Sequence, residues 1–90
     1  MAEGLIGNDP DAMNKLAAQM KTAAETIRNA VSGLDGQVNG VAWNGPDARQ
    51  FKGTDWPASS KRLIAIATDL DTTSTVITKQ ASDQVATSAN

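Results

Sequence analysis

Met13, Met20, Ile27 and Leu34 fall seven residues apart, and Trp56, Leu63, Leu70 and Ile77 repeat that spacing in the second half of the chain. Other apolar residues, among them Leu16, Ala17, Ala24 and Val31, fall between them. This pattern describes an amphipathic helix with a coiled-coil-like seam. A strand alternates every second residue and cannot produce it. Two such halves in 90 residues predict an all-α chain, a single helix–turn–helix hairpin domain. Composition then limits how the hairpin holds together. Apolar residues make up 40% of the chain, but 15 of them are alanine, and only Trp43, Phe51 and Trp56 are aromatic. So short a chain with so thin a core leaves apolar surface uncovered. Met13, Leu16, Met20, Ile27, Leu34, Phe51, Trp56, Leu63, Leu70 and Ile77 are therefore expected to form a seam within the hairpin and against a second chain, giving a dimer.

Local signals set the boundaries. Asp9-Pro10-Asp11 predicts a helix start: Asp9 caps free amides, Pro10 fits the first helical position, and Asp11 complements the dipole. Helix one is expected over about 10–38, closing through Gly33, Gly36 and Gly40. Its polar face carries Asp11/Lys15 and Lys21/Glu25 at helical pairing distance, each pair worth about 0.3–0.5 kcal/mol when exposed. Residues 39–45 are the turn. Asn44 or Gly45 is expected to cap helix two, with Pro46 in its first turn, and the helix runs over about 46–84. Gly45 has the conformational freedom such a turn requires. Pro57 removes a donor and disfavours helix at Trp56, so a kink or brief break is expected at 53–57, with Asp55 capping the continuation. Residues 72–78 are rich in β-branched side chains, but the heptad continues through them and a lone strand would have no partner, so helix is expected. The tail from Gln84 onward is expected to fray.

The chain has no histidine, cysteine or tyrosine. That excludes His or Cys zinc sites, Cys and Ser-His nucleophiles, disulfides, haem and iron–sulfur ligation, and no cofactor or metal is expected. A net charge of −2 with 20% charged residues lacks the wide basic face that nucleic acid needs. The longest apolar run, residues 63–67, is far short of the roughly 20 residues a spanning helix requires. Residues 1–4 have neither the basic nor the apolar region of a secretory signal peptide. Lys61-Arg62 reads as solvated surface. Asp69 and Asp71 are two apart on a helix, point to different faces and cannot act as a carboxylate pair. The expectation is a non-enzymatic, associating module.

Trp43-Asn44-Gly45 lies near the middle of the chain, between the two helical halves, and is followed by Asp47-Ala48, Phe51 and Asp55-Trp56. This resembles the Trp-x-Gly (WXG) family of roughly hundred-residue, early-secreted-antigen-like type VII secretion proteins of actinobacteria and other Gram-positive bacteria. The resemblance covers nearly the whole chain. It implies an elongated antiparallel four-helix bundle built from two hairpins, either two copies of this chain or this chain with a paralogue, the homodimer being the preferred expectation. It also implies partners in the type VII secretion machinery, with a larger effector as a further partner, and export without a signal peptide after a cytoplasmic stage. The family's usual export signal is a C-terminal Tyr-x-x-x-Asp/Glu. Here Asp83 supplies the acid, but Lys79 stands where the aromatic belongs. Trp43 is expected to plug the end of the hairpin and to take part in recognition. The alternative function is a cytosolic adaptor that covers the helical targeting domain of a larger toxin. A membrane-perturbing hairpin is disfavoured, because basic residues are few and scattered.

Overall fold

The computed structural model describes residues 9–89. It is all-helical among these residues: α1 (Pro10–Gly40), α2 (Pro46–Gln50), a π-helical turn (Phe51–Asp55) and α3 (Trp56–Ala89). α1 and α3 lie alongside one another as an elongated hairpin of 66 × 19 × 17 Å.

Asp9 starts α1 as expected. Its Oδ1 accepts from the amides of Asp11 at 3.0 Å and Ala12 at 3.2 Å, and Pro10 takes the first turn. α1 continues through Gly33 and Gly36 to Gly40, two residues past the expected end, so the turn shortens to residues 41–45. Gly45 caps α2 with φ +111°, a conformation that a side chain would strain. It makes no side-chain capping bond, and Asn44 does not cap in its place.

No break occurs at Pro57. Instead the helix widens for one turn before the proline, and the Trp56 amide donates to the Phe51 carbonyl five residues back. A proline ring in a regular helix collides with the carbonyl four residues earlier, here that of Gly53. Widening the turn relieves that contact, so the helix carries Pro57 and continues. Asp55 therefore has no helix end to cap, and its Oδ1 accepts from Gln50 Nε2 at 3.1 Å. Pro57→Ala is expected to leave the hairpin intact and to raise helical circular dichroism slightly. A fall of several degrees in melting temperature would show that the wide turn is needed in its own right.

α3 passes through the β-branched stretch as helix. The hydroxyls of Ser74 and Thr75 donate to the Asp71 carbonyl at 2.7 and 3.1 Å, so their polar atoms are satisfied within the helix. α3 runs to Ala89, beyond the expected end at 84.

The depth of the seam differs most from expectation. The residues fully buried between α1 and α3 are small: Ala17, Ala24 and Val31 on one side, Ala67, Ser74 and Ala81 on the other. Each trio has the seven-residue spacing, four residues after the larger set. Arg28 Nη2 meets Asp71 Oδ2 at 2.6 Å, and this register brings Ala17, Ala24 and Val31 level with Ala81, Ser74 and Ala67. Small side chains let two helices approach closely and lose little rotamer entropy on burial. Met13, Met20, Ile27, Leu63, Leu70 and Ile77 are only half-buried beside this line. Leu16 and Leu34 are not in the hairpin seam at all, being 49% and 42% exposed. No helix among the described residues is long and apolar enough to cross a membrane.

Candidate protein-docking sites

Residues 41–45 do not form a tight loop. Lys52 Nζ donates to the Val41 carbonyl at 2.9 Å, which sets the end of α1 beside the π-helical turn. α2 thus lies beyond α1, and the connection must climb along it to reach Gly45. On the way the Trp43 amide donates to the Val41 carbonyl at 2.9 Å, a three-residue turn centred on Ala42. This aims the Trp43 ring at Phe51, with centroids 5.7 Å apart and planes inclined by 44°. Phe51, expected in the seam, is thereby part of the tip. Trp43 remains 41% exposed, so it covers Phe51 with part of its ring and presents the rest outward.

An open cleft of about 480 Å³ lies beside Trp43, lined also by Asn44, Gly45, Ala48, Arg49, Lys52 and Gly53. Ala48 is buried, while Arg49 and Asn44 are exposed. An aromatic face next to two cations suits a partner segment carrying an apolar group and an acid. Spacing alone did not single out Arg49 and Lys52; three residues apart on a helix, they share a side with Gly45.

The second tryptophan has a different task. Trp56 is half-buried, and its Nε1 donates to Asp35 Oδ1 at 2.6 Å, a charge-assisted bond that ties α3 to the last turns of α1. With Arg28–Asp71 it fixes the register of the hairpin. Neither bond was foreseen from the sequence. The i,i+4 pairs that were foreseen, Asp11/Lys15 and Lys21/Glu25, do not close to ion-pair distance; among the described residues that geometry is reached by Arg28–Asp71 and Lys79–Asp83.

The long sides of the hairpin are unlike. One is polar, with Lys21, Thr22, Glu25, Arg28 and Asp71 around a shallow depression. The larger heptad residues edge the other: Met20 and Ile27 from α1, Leu63 and Leu70 from α3, with the exposed Leu16, Leu34 and Ile66 outside them. We refer to this side as the open face.

Asp83 is exposed near the far end of α3 from the turn and forms an ion pair with Lys79 at 3.0 Å. One chain therefore does not bring Asp83 to Trp43-Asn44-Gly45. Lys61 and Arg62 are exposed, and Arg62 Nη2 donates to Ser59 Oγ at 3.1 Å. Asp69 is exposed while Asp71 is engaged by Arg28, so the two acids are on different sides as expected. Among the described residues no three acidic side chains gather into a metal-binding group. No family model, curated protein or solved structure matches this chain.

Proposed function

We propose that this chain is a small type VII secretion substrate or co-secreted partner of the Trp-x-Gly kind, acting by protein–protein contact and without catalysis. The observation that carries the reading is the division of labour between side chains. Small residues, mostly alanine, hold the hairpin closed, which leaves the larger apolar residues on the open face for another hairpin, while Trp43 is displayed at the tip. Pairing of two hairpins through that face gives the four-helix bundle. If they run antiparallel, the tip of one chain comes near the C-terminal end of α3 in the other, and two half-signals form one surface. The adaptor function remains the second reading, favoured by the Lys79–Asp83 pair: an acid held by a lysine is a poor substitute for an aromatic–acid signal. In both readings a partner supplies the missing signal.

Export measured in culture supernatants tests the proposal. The unpaired wild-type chain is expected to leave the cell inefficiently. Lys79→Tyr places a rigid aromatic face one helical turn before Asp83 and is expected to raise partner-independent export several-fold. Trp43→Ala is expected to lower export in either setting, with helical content unchanged. Efficient export of the unpaired wild-type chain, or normal export of the Trp43→Ala variant, would overturn the reading.

A further inference from the structure

We propose that the turn is a self-modifying site: the Gly45 amide nitrogen displaces ammonia from the Asn44 side chain, and water leaves aspartate or isoaspartate at position 44. The same dipeptide at Asn39-Gly40 is spared by the fold. The chemistry stands on the geometry of the turn, while its effect on export rests on the proposed role of Trp43 and its cleft.

The chain contains two Asn-Gly pairs, Asn39-Gly40 and Asn44-Gly45. A glycine after asparagine has no Cβ to shield its nitrogen from the side-chain carbonyl. For the nitrogen to attack, it must lose its proton, and the asparagine must rotate about its Cα–C bond until Cγ comes within reach. Position 44 permits both. Asn44 is exposed, and among the described residues no hydrogen bond holds its side chain. The backbone bonds of the turn skip this peptide unit. On one side the Trp43 amide donates to the Val41 carbonyl at 2.9 Å, and on the other the Arg49 amide donates to the Gly45 carbonyl at 3.0 Å. The Asn44 carbonyl and the Gly45 amide take no part in these pairs, so the rotation breaks none of them. A Cβ at Gly45 would meet nothing within 4 Å, which leaves the approach open. Arg49 and Lys52 line the same cleft as Asn44 and Gly45, and their charge favours the anionic nitrogen. Asn39 is exposed as well, but it lies inside α1. The Val41 amide still donates to the Gln37 carbonyl at 3.0 Å, so helical bonding extends past Gly40. Rotation at Asn39 would break that last turn.

Hydroxide and water are the only co-reactants. Hydroxide takes the Gly45 amide proton, the nitrogen forms a bond to Asn44 Cγ, and the Cγ–Nδ2 bond breaks as ammonia leaves with a proton from water. Water then adds to one of the two ring carbonyls. Opening the new bond at Cγ gives aspartate. Opening the original backbone bond gives isoaspartate, with the main chain rerouted through the side chain and one atom longer. Either product puts a carboxylate where a neutral amide stood, in a cleft whose charged lining residues are Arg49 and Lys52. An acidic partner segment then meets a neutralised cleft. Isoaspartate also lengthens the connection that aims Trp43 at Phe51. Fresh chains therefore present a cationic tip, and aged chains do not.

Ageing the purified full-length chain at mildly alkaline pH tests the chemistry, with the mass of the tryptic peptide Asn29–Arg49 as the readout. Replacement of NH2 by OH is expected to accumulate, with fragment ions placing it at Asn44, and to speed up about ten-fold per pH unit. In the folded chain Asn44 is expected to react about ten-fold or more faster than Asn39, which must wait for the helix end to open. In the urea-unfolded chain the two should react at similar rates. Asn44→Gln, whose larger ring closes slowly, should stay unmodified. Asn44→Asp carries the product's charge and is expected to lower export several-fold in the presence of a signal-bearing partner, whereas Asn44→Gln is exported normally; circular dichroism confirms that both stay helical. Equal rates at Asn39 and Asn44 in the folded chain, or an Asn44 that stays intact while the unfolded chain reacts, would overturn the self-modification. Normal export of Asn44→Asp beside poor export of Trp43→Ala would overturn the effect on the cleft and leave the export reading standing. Normal export of both variants would overturn the export reading, and the mass readout would still decide the chemistry.

Discussion

Ala24→Leu is expected to pry α1 from α3 and lower the melting temperature by about 10 °C or more. Ala24 is 0% exposed and level with Ser74, also 0% exposed, near the middle of the hairpin. A leucine there has no empty volume to enter, so it must push the helices apart or leave its rotamer well. Overpacking of this kind costs about 1–3 kcal/mol in an ordinary core. Here the displacement also loosens the neighbouring layers, Ala17 with Ala81 and Val31 with Ala67, because all share one line of contact. A domain of this size holds about 5–13 kcal/mol of stability in total, and each kcal/mol is worth about 4–8 °C. Ser74→Ala is the matched control. It keeps the seam small and removes a hydroxyl whose bond to the Asp71 carbonyl is internal to α3, so it should shift the transition by only a few degrees. Thermal unfolding followed at the helical band distinguishes the two. A leucine variant that melts with the wild type would show that the small residues do not set the helix spacing.

The same geometry explains what the sequence made legible. A seven-residue recurrence fixes which side of each helix turns inward, and with the local signals at Asp9-Pro10 and Gly45-Pro46 that was enough for the all-helical hairpin, its start and its turn. It does not say which of two interleaved lines lies on the contact axis. Met13, Met20 and Ile27 are the more apolar line, yet Ala17, Ala24 and Val31 are buried. Two cylinders touch along one line only. Small residues on that line bring the backbones together, and large ones beside it need a third or fourth helix to enclose them. Size, rather than hydrophobicity, decides the depth. The disturbance expected at 53–57 takes the form of one wide turn at Phe51–Asp55, because helix propensity assumes a regular helix and the wide turn removes the collision that the propensity counts. The two ties between helices, Arg28–Asp71 and Trp56–Asp35, depend on register across the hairpin. Local periodicity does not contain that register.

The last prediction separates pairing from folding. Ile27→Asp is expected to abolish association while leaving the hairpin helical. Ile27 is half-buried in the hairpin, so in an isolated chain an aspartate there keeps part of its hydration. In the proposed bundle it lies on the open face and is covered by the second hairpin. Pairing would then desolvate the carboxylate with no cation of this chain beside it, since Arg28 is turned to the other side and held by Asp71. An unpaired buried charge costs several kcal/mol. A rise in dissociation constant of at least about 1,000-fold follows from roughly 4 kcal/mol. Ala18→Asp is the control: it adds the same charge and the same low helix propensity at an exposed position on the side away from the open face. Its dimer should be unaffected. Equal pairing by the two variants in sedimentation would remove Ile27 from the interface. Loss of helicity in Ile27→Asp alone would mean that the hairpin itself, rather than its partner, depends on this residue.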